Sequence, residues 1–318
     1  MDHYDTIIVG GASAGLSAAI YTARQGMKTL VITKDIGGQA LLTTDIQNYP
    51  GFDMIGGFEL TNKFKEQASY YGAEFVYDEV IKISNNKESF TVETGNNKYS
   101  SLSLILAFGK TPRDLNVAGE KELKGHGISY CAICDGPLFK GRDVAVAGNG
   151  SHALEAMIYL SSVARKVYYI TNAKKLLGED DLLETVNSLK NKEMFFDSTL
   201  DSINGTKSVE SVTFQNKTTG EKTILPVSAV FAEMGYIAKS DFVKGIVSLN
   251  ENNEVTVDKF CKTSTEGIFA CGDVTDTPYK QAIISAGQGA TAALSAYNYV
   301  QKKKGKVVAK SDWKLIKH

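Results

Sequence analysis

Cys131 and Cys134 stand two residues apart in the run Ser129-Tyr130-Cys131-Ala132-Ile133-Cys134-Asp135-Gly136. Two thiols at that spacing close a small disulfide or supply half of a zinc site. A neighbouring carboxylate such as Asp135 can move the proton that thiolate chemistry requires. A structural zinc site needs a second Cys or His pair at ligand spacing. The other two cysteines, Cys261 and Cys271, lie around a strand-like segment, and the four histidines, His3, His126, His152 and His318, are scattered. The pair therefore reads as a redox centre, with no metal expected. Cys261 and Cys271 read as buried small hydrophobes. Asp135 carries a second reading, a turn cap beside Gly136.

Glycines carry a second kind of chemistry. Gly10-Gly11-Ala12-Ser13-Ala14-Gly15 follows the apolar run Thr6-Ile7-Ile8-Val9 and opens a segment with Leu16, Ala19, Ile20 and Ala23 at helical spacing. A G-x-A-x-x-G turn between strand and helix lets the backbone approach a pyrophosphate and presents the first N–H groups of the helix to it. Ala12, at the position of the usual second glycine, tightens that approach. Gly26 ends the helix, and Thr29-Leu30-Val31-Ile32 is the next strand. The pattern recurs. Asp143-Val144-Ala145-Val146-Ala147 leads into Gly148-Asn149-Gly150-Ser151-His152-Ala153, then a helix with Leu154, Met157 and Ile158, then the strand Val167-Tyr168-Tyr169-Ile170. A meander-like stretch follows each copy, over residues 75–107 and 209–231. Repetition of a whole βαβ-plus-meander unit marks an internal duplication.

A third segment belongs with the first copy. Gly267-Ile268-Phe269-Ala270-Cys271-Gly272-Asp273-Val274 reads as a strand ending in Gly-Asp, just before a long helix over residues 280–299. An Asp there can accept a hydrogen bond from a polyol such as ribitol while the helix N-terminus faces the ligand. The first domain is then split, residues 1–112 rejoining 243–318, with residues 113–242 inserted. Thr111-Pro112-Arg113 and Lys239-Ser240-Asp241 are the expected crossing strands. The fold class expected is α/β, with two Rossmann-like, three-layer ββα dinucleotide-binding domains, the second inserted into the first.

The composition limits the function. Among 318 residues, 35 are basic and 36 acidic, so no global field argues for nucleic acid or a membrane surface. The apolar runs are strand-length, the chain enters a strand directly after Met1-Asp2-His3-Tyr4-Asp5, and no signal peptide is read. Few cysteines and a Cys-x-x-Cys suit a cytoplasmic protein.

Taken together, Gly10–Gly15, Gly37-Gly38-Gln39, Asn48-Tyr49-Pro50-Gly51, the cysteine run, Gly272-Asp273-Val274 and Tyr279-Lys280-Gln281-Ala282 resemble the low-molecular-weight thioredoxin reductase family over nearly the whole chain. The resemblance implies FAD in the split domain and a homodimer. It implies cofactor contacts at Gly10, Ala12, Ser13, Ala14, Gly15, Gly38, Gln39, Asn48, Gly272, Asp273, Lys280, Gln281 and Ala282. It further implies that Cys134 faces the flavin, that Cys131 attacks the disulfide of thioredoxin, and that Asp135 serves as acid/base.

The chain departs from the family where NADPH is expected. The family's His-Arg-Arg after the second strand of the inserted domain is here Thr171-Asn172-Ala173-Lys174-Lys175, its Gly-Gly-Gly-Asp-Ser-Ala is Gly148–Ala153, and its Ile-Gly-x-x-Pro-Asn is Met234–Lys239. Lysine lacks the bidentate fork of arginine for a 2′-phosphate. These departures resemble the pyridine-nucleotide-independent branch, the ferredoxin-dependent flavin thioredoxin reductases. The lysine-rich segment after Lys302, with Trp313 and His318, reads either as a solvated tail or as a basic dock for an acidic protein donor, with Trp313 near the flavin or the dimer partner. Two alternatives stay open: an NADPH-dependent thioredoxin reductase with an atypical site, and a flavin-dependent dithiol oxidase.

Overall fold

Unbroken apolar runs such as Thr6–Val9 and Leu104–Leu106 suit strands buried on both faces, and parallel sheets are built from such strands. The computed structural model describes residues 2–42 and 46–306, with the side chains of Leu42 and Cys134 outside that description. The chain divides into two units, Met1–Lys110 with Ala238–His318, and Thr111–Ile237.

In the first unit a seven-stranded sheet runs in the order Glu74–Tyr77, Thr29–Thr33, His3–Val9, Lys98–Leu106, Phe90–Thr94, Val80–Asn85, and Ile268–Ala270 also pairs with Lys98–Leu106. That long strand serves two partners along its length. Phe90–Thr94 pairs antiparallel with its beginning (Phe90 opposite Ser101), and Ile268–Ala270 pairs parallel with its end (Ala270 opposite Leu106). One sheet face carries the helices Ser13–Arg24 and Ala282–Lys303, which pack through Ala14, Ala18, Ala292, Ala293 and Ala296 onto Ile8 and Ile105. The other face, Ile7, Val9, Leu104 and Leu106, meets Val80, Ile83, Phe90 and Val92 of the antiparallel strands. Helices, sheet and meander make the three layers.

The second unit repeats the plan. Five parallel strands lie in the order Lys192–Phe195, Lys166–Ile170, Asp143–Gly148, Ala229–Glu233, Ile128–Ser129. Helix Ser151–Ser161 buries Leu154 and Met157 against Val144, Val146 and Phe231, while Ala145, Ala147 and Ile170 face Ile203, Val212 and Phe214 of a separate three-stranded antiparallel sheet. The fold is thus α/β with two Rossmann-like dinucleotide-binding units, one inserted into the other.

Three local expectations change. The second crossing strand is Tyr236–Ile237, paired antiparallel with Thr111–Pro112, and not Lys239-Ser240-Asp241. Ser240 instead donates to the carbonyl of Asn253 at 2.8 Å and opens the short turn Asp241–Val243, which buries Val243 in the first unit. The long helix starts at Ala282, because Gln281 keeps an extended backbone, and it continues to Lys303 because Val300 is still fully buried. The second meander begins at Ser198 and not near 209, its alternation interrupted by a bulge between Leu200 and Ser202. Among the described residues no helix is long and apolar enough to cross a membrane.

Candidate active site

The turn residues Gly10 to Gly15 lie where the first unit's parallel strands end together. Val9 is level with Leu106, and Leu106 with Ala270, so the Gly10 turn and the Cys271-Gly272-Asp273 segment leave the sheet side by side. Ligands in open α/β sheets bind at such carboxyl ends. Helix Ser13–Arg24 has Ala12 as its N-cap and helix Ala282–Lys303 has Gln281, and neither end carries a side-chain cap. A β-carbon on Gly272 would meet the Ala14 β-carbon at 2.7 Å, so the Asp273 loop is drawn onto the first turn. Asp273 Oδ1 accepts from Ser285 Oγ at 3.1 Å. Two uncapped helix ends and an anchored carboxylate at one crevice suit a diphosphate and a polyol chain.

The other expected contacts fall in the same unit. Gly38 N donates to Asp35 Oδ1 at 2.9 Å, Gln39 Nε2 to the Lys110 carbonyl at 3.0 Å, and Asn48 Nδ2 to Gln281 Oε1 at 3.1 Å. Lys280 Nζ donates to the carbonyls of Asp273 and Thr275 and pairs with Glu254 at 3.1 Å, while Lys110 pairs with the same carboxylate at 2.7 Å. Burial raises the Glu254 carboxyl, yet hydrogen bonds from Lys110, Asn250 and Lys280 outweigh it and hold the group at about 2. Glu254 and Lys110 escaped the sequence reading, since nothing local ties them to Lys280.

In the second unit Cys131 follows the short strand Ile128–Ser129 and precedes the one-turn helix Ala132–Asp135. Cys131 is disulfide-bonded. The Cys134 backbone belongs to that helix, and its side chain lies outside the described atoms. Asp135 does not cap the following turn with its side chain. Its Oδ2 accepts instead from the buried Ser129 hydroxyl at 2.6 Å, and that oxygen accepts from the Cys131 N–H at 3.0 Å. Ser129, quoted in the motif but given no role, therefore joins the carboxylate to the cysteine backbone. Tyr130 is pinned from the other side, its hydroxyl 2.6 Å from Glu120 and 3.0 Å from Asp114. Ile133 and Leu138, within and just after the cysteine motif, leave apolar side chains exposed.

Cys261 and Cys271 are free and buried. Burial, then Asp258, pushes the Cys261 thiol to about 11, and burial raises the Cys271 thiol well above its ordinary value, so neither offers a thiolate near neutrality. Among the described residues no cluster of His, Cys, Asp and Glu is placed to hold a metal.

The second glycine turn borders a crevice of about 140 Å³, lined by apolar residues such as Val117, Ile170 and Leu200 with the neutral Asn149, Thr171 and Asn172. Lys174 and Lys175 are exposed and absent from that lining. The tail with Trp313 and His318 lies outside the described residues.

The pattern of a family model described as pyridine nucleotide-disulphide oxidoreductase matches residues 4–289. A thioredoxin reductase of Bacillus subtilis is 36% identical over 300 residues, 94% of this chain and 95% of its own. A protein of the same organism named NADH dehydrogenase is 38% identical over 298 residues, and there the chain spans only 58% of the relative's length. Among solved structures, Lactococcus lactis thioredoxin reductase gives a TM-score of 0.81 at 33% identity, covering 94% of this chain and 99% of that one. A ferredoxin-flavin thioredoxin reductase from Clostridium acetobutylicum gives 0.55 at 33% identity, covering 96% and 100%. The chain belongs to the pyridine nucleotide-disulphide oxidoreductase family, among its low-molecular-weight thioredoxin reductase-like members. It is a flavoprotein oxidoreductase of the thioredoxin reductase type, and its cofactor is FAD.

Proposed function

We propose that this chain reduces the disulfide of thioredoxin with electrons from reduced ferredoxin, as a cytoplasmic homodimer. The observation that carries the donor is the crevice beside the second glycine turn, whose lining, among the described residues, holds no lysine or arginine. A 2′-phosphate there meets no arginine fork, and losing two charge-assisted contacts at about 1.5–3 kcal/mol each lowers affinity by a hundredfold or more. The lysines after Lys302 suit an acidic protein donor. Exposed Met54, ahead of helix Gly57–Tyr70, and Phe58, in its first turn, offer apolar surface to a second copy.

FAD, when bound, accepts electrons singly and delivers them as a pair, which matches two one-electron ferredoxins to one disulfide. The chain's own residues do the sulfur chemistry. With the Cys131–Cys134 disulfide reduced, the Cys131 thiolate attacks one sulfur of the thioredoxin disulfide and forms a mixed disulfide. The displaced thiolate takes a proton, for which Asp135, held by Ser129, is the nearby acid. Cys134 then attacks the Cys131 sulfur, the internal disulfide re-forms, and thioredoxin leaves as a dithiol. Exposed Ile133 and Leu138 give thioredoxin an apolar rim to rest on.

A second reading, a pyridine-nucleotide-dependent reductase, is favoured by the relatives' names, one of them an NADH dehydrogenase. Anaerobic mixing separates the two. Reduced ferredoxin is expected to bleach the flavin and to support thioredoxin reduction that weakens at high salt, whereas micromolar NADPH leaves the spectrum unchanged. Rapid bleaching by NADPH would overturn the ferredoxin reading.

A further inference from the structure

Glu254 is a charged residue in the interior of the first unit, only 7% exposed, and no step of the chemistry above uses it. Burying a carboxylate is costly unless it is paired and hydrogen-bonded. This one is served by three side chains. Its Oε1 accepts from Lys110 Nζ at 2.7 Å and from Lys280 Nζ at 3.1 Å, and its Oε2 accepts from Asn250 Nδ2 at 2.7 Å. Asn250 Oδ1 also accepts from the Glu254 backbone N–H at 2.9 Å, so one amide holds both the main chain and the side chain of the acid. The turn over residues 250–254 is built to aim a single carboxylate.

An ammonium group has three protons to give. Lys280 gives one to Glu254 and the others to the carbonyl oxygens of Asp273 and Thr275, so it is fully engaged within the protein. Both carbonyls belong to the loop whose Asp273 carboxylate is anchored by Ser285. The main chain beside Glu254 grips the same loop. Val255 N donates to the Val274 carbonyl at 2.8 Å, and Asp276 N to the Val255 carbonyl at 3.1 Å. From the other side comes Lys110, whose own carbonyl accepts from Gln39 Nε2 at 3.0 Å. One carboxylate therefore joins three segments distant in sequence: Gln39 with Lys110, the 250–255 turn, and the 273–280 loop. Lys280 also stands directly before Gln281, the N-cap of helix Ala282–Lys303.

We propose that Glu254 is a positioning residue of the flavin site, and that Lys280 serves FAD through the Asp273 loop it clasps with Glu254, not through a hydrogen bond of its own. Two consequences separate this from simple packing. The clasp fixes the loop whose carboxylate suits the polyol chain, so opening it from either side loosens bound FAD. Its charges also stand beside a helix end that faces the crevice. Reduction adds negative charge to a flavin, and charged groups nearby tune its potential. Loss of the carboxylate favours the reduced form, and loss of the ammonium favours the oxidised form.

Glu254→Gln and Lys280→Met test this in the FAD-loaded protein. FAD release is followed by the rise of flavin fluorescence on dilution. The flavin midpoint potential is measured by photoreduction against an indicator dye, so no physiological donor enters and the ferredoxin reading is not at stake. Each variant is expected to release FAD about tenfold faster than the wild type. The potential is expected to rise in Glu254→Gln and to fall in Lys280→Met. The double variant is expected to release FAD no faster than the quicker single variant, because the two side chains act as one clasp. Glu254→Gln leaves Lys110 and Lys280 without their counter-charge. Should it fail to fold, Lys280→Met keeps the balanced Lys110–Glu254 pair and carries the test alone, through faster release and a lowered potential. A wild-type release rate in Lys280→Met overturns the inference, as does a potential in that variant that fails to fall.

Discussion

A carboxyl group that keeps its proton to about pH 8 inside the fold couples folding to pH in the reverse of the usual acidic sense. Glu233 titrates at 4.5 unperturbed and at about 8 here. Between those values the folded chain binds a proton that the unfolded chain has released, so this group's contribution to stability is fully present below pH 4.5 and is lost as pH rises through 8. Glu233→Gln removes this dependence. The melting temperature of the variant minus that of the wild type is expected to grow from pH 5 to pH 9, and a difference that stays flat would contradict the burial of this group. Glu254 has the opposite sign, its contribution present above 4.5 and lost as pH falls through about 2. Neither acid is legible in the sequence, because each acquires its neighbours across the fold. Cys131 and Asp135 are legible because their partners lie within six residues, although Ser129, the residue that joins them, is visible only once its hydroxyl has a direction.

Elements were easier to read where chemistry and packing coincide. The parallel strands announce themselves as apolar runs, and both glycine turns follow directly from them. What the pattern hid were places where backbone geometry overrides it, such as the bulge in Ser198–Asn204 and the extended Gln281. The crossing of helices Ser13–Arg24 and Ala282–Lys303 is another such place. A β-carbon on Gly289 would lie 2.1 Å from the Ala14 carbonyl oxygen and 3.1 Å from the Ala18 nitrogen. Gly289→Ala must therefore separate the two helices whose uncapped ends we propose as the flavin crevice. The expected cost is about 2 kcal/mol, read as a lower denaturant midpoint, together with flavin lost on gel filtration. Full flavin retention at unchanged stability would show that the crossing tolerates a methyl group.

At the scale of the whole molecule, the inserted unit leaves and rejoins the first through adjacent strands, Thr111 opposite Ile237 and Pro112 opposite Tyr236. A two-residue Asn-Gly turn joining Pro112 to Tyr236 is the right length for a hairpin. The protein lacking residues 113–235 is then expected to fold and retain FAD with a normal visible spectrum, while losing all disulfide reduction. Failure to hold flavin would mean that the first unit depends on the insertion for its fold. The same topology imposes an order of events during synthesis. Strand Lys98–Leu106 acquires its partner Ile268–Ala270, and helix Ser13–Arg24 its partner Ala282–Lys303, only after the entire insertion has been made. Domains fold as they emerge from the ribosome. The unit carrying Cys131 therefore finishes before the unit that begins the chain, and the nascent protein exposes a foldable thiol module before it has anywhere to put a flavin.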